Sequence, residues 1–458
     1  MIKISKNRYD LYVFFTRNVL AEFFVEELEW YMNEAQSLWA VIGLDRQDRD
    51  YTVIISARDK NRQIRCMDTE TGFVTIEAAR AYLPDKMREL EKSVIRESDF
   101  NRSNTEAIFR PLPKKHWNDA YLALAQSPVF SCARNVIREL MPHFFDVDNN
   151  FVEQFQTGGF DARLWELYLF CYFKEEGLNI DRSHPAPDFL LSDGNLAVSV
   201  EAVIAADRGL KTAGKIPEPE ELPEKEKLMA ARWGSPLYSK LSHTDKTGKH
   251  YWEHEHTQNK PFVIAIADFH EPFSMIWSQN SLTTYLYGRR YSCSYDREGN
   301  LQIRFHKVEQ HERANNPKPI PSGFFFQAQA EHISAVLHSS CATISKFNRI
   351  GKQCGLDESE SFMLREGRFY NPAPNASKPL RFAYVVSEEN SETWAEGVTV
   401  FHNPNAKFPL PEDFFPNAAH CYLKGDFLVT AAENAIVYSS MTYHFIKGNG
   451  SFLDEPLP

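Results

Sequence analysis

A chain of 458 residues with 43% hydrophobic and 13% aromatic side chains can fill more than one core and is no disordered polymer. Its net charge of -11 excludes a protein that coats nucleic acid through bulk charge, although a basic groove can sit on an acidic body. No apolar run approaches the ~20 residues of a membrane span, and residues 1–8 lack the apolar stretch of a signal peptide, so a cytoplasmic protein without a membrane partner is expected. The seven cysteines are scattered and never spaced C-x-x-C, which reads as free thiols in a reducing compartment rather than disulfides or a zinc site.

Residues 1–110 read as an N-terminal α+β module. Apolar stretches at 39–44, 51–56 and 64–67 are separated by charged turns, as in an antiparallel meander. A helix is expected across 75–90, broken in two by Pro84. A linker at 111–115 opens a helical connector, 111–157, in which Ser127-Pro128 starts a helix to about Met141. Gly158-Gly159 precedes a helix over 160–176 that Gly177 stops.

The period then changes. Residues 188–191, the turn 192–195 and residues 196–205 carry a β-hairpin signal. The Pro/Glu/Lys-rich segment 215–227 reads as a flexible surface insertion. A helix containing Leu237, Tyr238 and Leu241 and an apolar strand at 261–268 complete a core assigned to 158–290. The region 291–458 reads as C-terminal α+β, either an extension of that core or a separate domain. Its strands are expected at 292–295, 301–305, 333–337, 382–386, 398–401 and 421–429.

Three carboxylates stand out. Glu166 lies on a helix face with Leu169, Phe170 and Phe173, where a charge is costly unless paired, protonated or metal-bound; Arg163 is the partner in the simplest reading. Pro187-Asp188 opens the first strand of the hairpin, and Glu201 lies among Val198, Val200, Val203 and Ile204 on the second. Hairpin pairing brings Asp188 and Glu201 together, and two close carboxylates invite a divalent cation. Phosphodiester cleavage uses such a cation, with a lysine to orient water and stabilise charge.

Glu166 on the first helix, Pro187-Asp188 and Val200-Glu201-Ala202 together resemble the motifs of the PD-(D/E)XK nuclease superfamily over about residues 158–270. The stretch 160–167 is also similar to large bacterial proteins of unknown function, which implies no mechanism. The nuclease resemblance implies an α/β fold, a restriction-endonuclease-like mixed sheet flanked by helices. It also implies a Mg²⁺-dependent endonuclease (Mn²⁺ substituting) acting on DNA, in restriction or antiviral defence, working as a homodimer or with a partner protein. Glu166, Asp188 and Glu201 would hold the metal. The superfamily's lysine two residues after the glutamate is replaced here by Val203. Lys240 on the following helix is the expected substitute, ahead of Lys249 and Lys211. Without a working lysine the chain would be an inactive nuclease-like scaffold binding nucleic acid or protein. His184, Lys249, Arg289, Arg290, Lys346 and Arg349 are the expected substrate contacts. The histidines of 249–256 fit no zinc motif, and Asp268 reads as a strand-end cap or a supporting group. Phosphate-cradling G-x-x-x-x-G-K-[ST] and G-x-G-x-x-G loops are absent, as is G-x-S-x-G.

Overall fold

The structure, a computed structural model, describes residues 1–18, 20–101, 107–112, 116–206, 216–218, 220–313, 316–358 and 361–445. Lys211, Lys215 and Pro219 of the 215–227 segment, and residues 113–115 of the expected linker lie outside the described residues. The fold is mixed α/β, with several sheets and helices on both faces of the largest.

The N-terminal strands are β1 (Ile2–Ile4), β2 (Val25–Met32), β3 (Leu38–Asp45), β4 (Tyr51–Arg58) and β5 (Ile64–Phe73), paired in that order and antiparallel throughout. The central strand β3 is apolar on both faces because each face has a cover. Leu38, Ala40 and Ile42 pack towards α3 (Ile76–Glu91), while Trp39 and Val41 pack with Tyr9 and Tyr12 of α1 (Lys6–Val13). Pro84 lies inside one continuous α3, not between two helices as expected. Ala79, Leu83 and Met87 bury the inner stripe, and the Thr75 side chain caps the start by accepting the Ala78 N–H. That packing offsets the ~3 kcal/mol a helix-interior proline costs. A short α2 (Ala21–Phe24) leads into β2.

Next come α4 (Asp119–Gln126), α5 (Ser131–Leu140) and α6 (Phe151–Gln156), with Pro128–Phe130 forming a 3₁₀ turn ahead of α5. They contribute Tyr121, Val136, Ile137 and Phe155 to the largest hydrophobic core. The chain continues through α7 (Phe160–Glu175), β6 (Asn179–Asp181), β7 (Phe189–Ser192), β8 (Ala197–Ala206), α8 (Leu222–Ser242), β9 (Phe262–Phe269) and α9 (Gln279–Tyr287). Two ribbons follow, β10 (Arg289–Tyr295) with β11 (Leu301–Lys307) and β12 (Gln310–Arg313) with β13 (Asn316–Pro321). The remainder comprises β14 (Ala335–Ser339), α10 (Ile344–Gln353), β15 (Phe362–Phe369), β16 (Leu380–Val385), β17 (Val398–His402), β18 (Ala419–Lys424), β19 (Phe427–Ala431) and β20 (Val437–Phe445).

Among the described residues the central sheet has eight strands, ordered β19-β18-β17-β14-β9-β8-β7-β6. β8, β9 and β14 run parallel, and the hairpin β6-β7-β8 is antiparallel. Four strands from beyond residue 290 therefore extend this sheet, while β15, β16 and β20 form a separate three-stranded sheet. Strand β9 shows the layering: Val263, Ala265 and Ala267 face the core containing α7, while Phe262, Ile264 and Ile266 face the core containing α8 and α9.

Two expectations need correction. The stretch 421–429 is a hairpin, not one strand, because Gly425 takes φ +61° and turns the chain between β18 and β19. The segment 215–227 is not all loop: α8 already begins at Leu222, with a proline in the first turn where no N–H is needed.

Candidate active site

The hairpin sets the geometry. Phe189 pairs with Val200 and both sit in the α7-side core, so the next pair outward, Asp188 and Glu201, turns to the opposite side of the sheet. The Asp188 N–H donates to Glu201 Oε2 at 3.2 Å, and the Ala202 N–H donates to Asp188 Oδ2 at 2.8 Å. No hydrogen bond among the described residues engages Asp188 Oδ1. Glu201 is buried, while Asp188 is half-buried.

Helix α8 docks over this spot through Met229, Trp233, Leu237 and Leu241. Lys240, in its last turn, donates from Nζ to Glu201 Oε1 at 2.5 Å, and the Tyr251 hydroxyl donates to the same oxygen at 2.9 Å. Val203, two residues after Glu201 on the same side of β8, packs into the apolar core beneath α8. The structure therefore brings a lysine amine to Glu201 from the helix, as the sequence reading expected of Lys240.

Burial, followed by the nearby Asp188 charge, pushes the Glu201 carboxyl up to about 7; Lys240 and Tyr251 oppose that shift without cancelling it. Glu166 is raised by the same two causes in the same order, against Arg182 and Arg163. Its oxygens are already engaged, Oε1 by Arg163 at 2.6 Å and Oε2 by Arg182 at 3.0 Å. Arg182 is itself wedged between the rings of Phe144 and Phe189, 3.9 and 4.7 Å from their centroids. Glu166 thus belongs to an arginine-paired group on α7, and the expected three-carboxylate set is not gathered. Among the described residues no group of three His, Cys, Asp or Glu side chains stands close enough to hold a metal ion. The pairing with Arg163 was legible from the i, i+3 spacing. Arg182 was missed because β6 is too short to register as a strand.

Of the expected substrate contacts, His184 is half-buried and stacks on His256 at 4.0 Å, and His256 Nε2 hydrogen-bonds the Ala186 carbonyl beside Pro187-Asp188. Lys249 is exposed on the turn after α8. Arg289 pairs with Asp426 at 3.2 Å. Arg290 is exposed and acts electrostatically on Glu226, which lies fourteen residues, or roughly 21 Å, along α8 from Lys240. Lys346 and Arg349 do not meet the expectation. Both are buried on α10 and bind Glu392, Lys346 at 2.7 Å and Arg349 through two bonds of 2.7 Å, because their helix face packs inward. Asp268, at the far end of β9, accepts the His270 N–H through Oδ1 at 3.1 Å, with His270 Nδ1 2.7 Å from the same oxygen, and stands apart from Glu201. The cysteines are free thiols. No described helix is long and apolar enough to cross a membrane.

Comparison with protein families, curated proteins and solved structures finds no match. The chemistry of the site stands on its own residues. Mg²⁺ takes oxygen ligands and is commonly held by one or two carboxylates plus substrate oxygens. The pair Asp188–Glu201 fits that donor set, and the Glu201 carboxyl is raised by its burial and then by the Asp188 charge, which Lys240 only partly balances.

Proposed function

We propose that the protein is a Mg²⁺-dependent DNA endonuclease of the PD-(D/E)XK kind, with Mn²⁺ substituting, that cuts invading DNA in restriction or defence. The observation that carries this reading is the approach of Lys240 Nζ to Glu201 at 2.5 Å despite valine at position 203. Asp188, through Oδ1, and Glu201 would hold the metal, which when bound supplies polarisation of the phosphoryl group and neutralisation of its charge. Backbone hydrogen bonds from Asp188 and Ala202 fix the two carboxylates before substrate arrives. Lys240 would orient the attacking water and donate to the phosphoryl oxygens as charge builds there. Tyr251 donates to the same Glu201 oxygen as Lys240 and helps fix that carboxylate. Glu166 keeps Arg182 and Arg163 in place behind the pair as a positioning residue.

One observation favours a different reading. Glu166 is fully engaged by two arginines, and Lys240 already offsets Glu201, as in a site retained for shape while it binds nucleic acid or a protein. Cleavage of supercoiled plasmid with Mg²⁺ or Mn²⁺ separates the two. The endonuclease reading expects wild type to cut and both Asp188→Ala and Glu201→Ala to lose at least ~100-fold. DNA binding without cutting by wild type would establish the scaffold. Equal cutting by wild type and both variants would sink the site.

A further inference from the structure

A second cleft in the molecule shares no residue with the Asp188–Glu201 site. The sheet β16-β15-β20 floors a cleft of ≈ 780 Å³, a volume typical of small-molecule sites. Its opposite wall comes from the first turns of α8 and from the segment around Trp277 that enters α9. Strand register places Arg368 of β15 directly opposite Arg381 of β16. Both are exposed, and neither finds an acidic partner among the described residues. Like charges placed opposite one another on paired strands repel, and an anion bridging them removes the penalty. Lys378 adds a third cation to the same cleft. Arginine forks match phosphate oxygens two at a time.

The rest of the cleft is not a plain anion site. Tyr370 and Tyr438 are close enough for the charge of one to act on the other, and they give the cleft aromatic surfaces suited to stacking. Glu218 and Glu226 also line the cleft, Glu226 accepting from Asn280 Nδ2 at 3.2 Å, and carboxylates accept hydroxyl or amino hydrogens but repel more phosphate. Glu366, also in the cleft, already accepts the Tyr443 hydroxyl at 2.9 Å. A fitting ligand has an anionic end, a flat aromatic body and hydrogen-donating groups at the far end.

We propose that this cleft binds a nucleoside phosphate, its phosphate between Arg368 and Arg381 and its base against Tyr370 and Tyr438. The ligand is either a free nucleotide or the terminal nucleotide of a single strand. The proposal does not depend on the nuclease reading: Glu226 of the cleft and Lys240 lie roughly 21 Å apart along α8.

Isothermal titration calorimetry on the full chain, with AMP, ATP, 5′-phosphorylated oligothymidylate and inorganic pyrophosphate as probes, tests it. AMP or ATP is expected to bind, with Arg368→Ala/Arg381→Ala weakening it at least ~10-fold. Tyr438→Ala should weaken AMP and ATP but not pyrophosphate. Tighter binding of the oligonucleotide than of AMP would assign the strand-end source, and the reverse the free nucleotide. Asp188→Ala should leave the affinities for AMP and ATP unchanged, so loss of cleavage and loss of this site are distinguishable. Both arginines are exposed, so the double variant should keep wild-type circular dichroism and thermal midpoint. Absence of binding by all four probes, or undiminished binding in the double variant, overturns the proposal. Insensitivity of AMP to Tyr438→Ala overturns the nucleoside part.

Discussion

Two buried carboxylates in this molecule, Glu392 and Glu201, sit beside cations and respond in opposite directions. Burial would raise the Glu392 carboxyl, but Arg349, Lys346 and Arg365 more than reverse it and hold it far below the usual range. Arg349 makes two bonds of 2.7 Å to it, Lys346 one of 2.7 Å, and Arg365 approaches to 3.3 Å while also pairing with Glu396. Glu201 has one cation and an acidic neighbour, and its carboxyl is raised to about 7. The difference is charge balance, not burial. A carboxylate with cations in excess is a structural rivet that pins α10 to the 392–396 segment. One with a second carboxylate beside it lacks positive charge, which a divalent ion and a substrate-facing lysine would supply.

Breaking the rivet should have the largest effect. Glu392→Ala leaves three cations buried with one acid removed, and urea unfolding is expected to show a loss of about 3–5 kcal/mol. Because that carboxyl is depressed in the folded state, its contribution is present above the unfolded value and is lost as pH falls through the folded one. Next in size, Lys240→Met should reduce plasmid cleavage ~100-fold. Adding Val203→Lys to that variant should restore part of the loss, since position 203 lies two residues along β8 on the same side as Glu201. Failure to restore any activity would mean that the amine must come from the helix.

Two smaller effects sharpen the contrast by pH. Glu201 is raised in the folded state, so the folded chain keeps a proton that the unfolded chain releases, and stability falls as pH rises from about 4.5 to about 7. Glu201→Gln should remove that component, gaining on wild type by at most ~1.4 kcal/mol per pH unit across the window in paired urea titrations. For the same reason Mg²⁺ affinity, read by calorimetry, should rise up to about tenfold per unit below about pH 7 and level off above it. A flat profile would show that Glu201 carries no proton to displace.

The sequence disclosed what is local. The alternation in 188–205 located the hairpin, its turn and the Asp188–Glu201 pair, and the helix after it pointed to Lys240. Long-range partners were not legible. Lys346 and Arg349 look like phosphate contacts until Glu392, more than forty residues later, is folded against them. Arg182 could not be assigned to Glu166 because β6 has three residues and no pattern. Strands β2 and β15 carry charges on their faces, which hid them from an apolar reading; β15 also hid the Arg368–Arg381 pair.

The placement of the lysine has a kinetic meaning. A lysine on β8 would be present whenever the sheet is formed. One on α8 is present only while Met229, Trp233, Leu237 and Leu241 keep that helix seated. The opening free energy of this single helix therefore sets a ceiling on the fraction of molecules that are complete at any instant. Amide exchange along α8 would measure that ceiling directly. A partner that presses on the outer face of α8 could raise it without touching a single residue of the site.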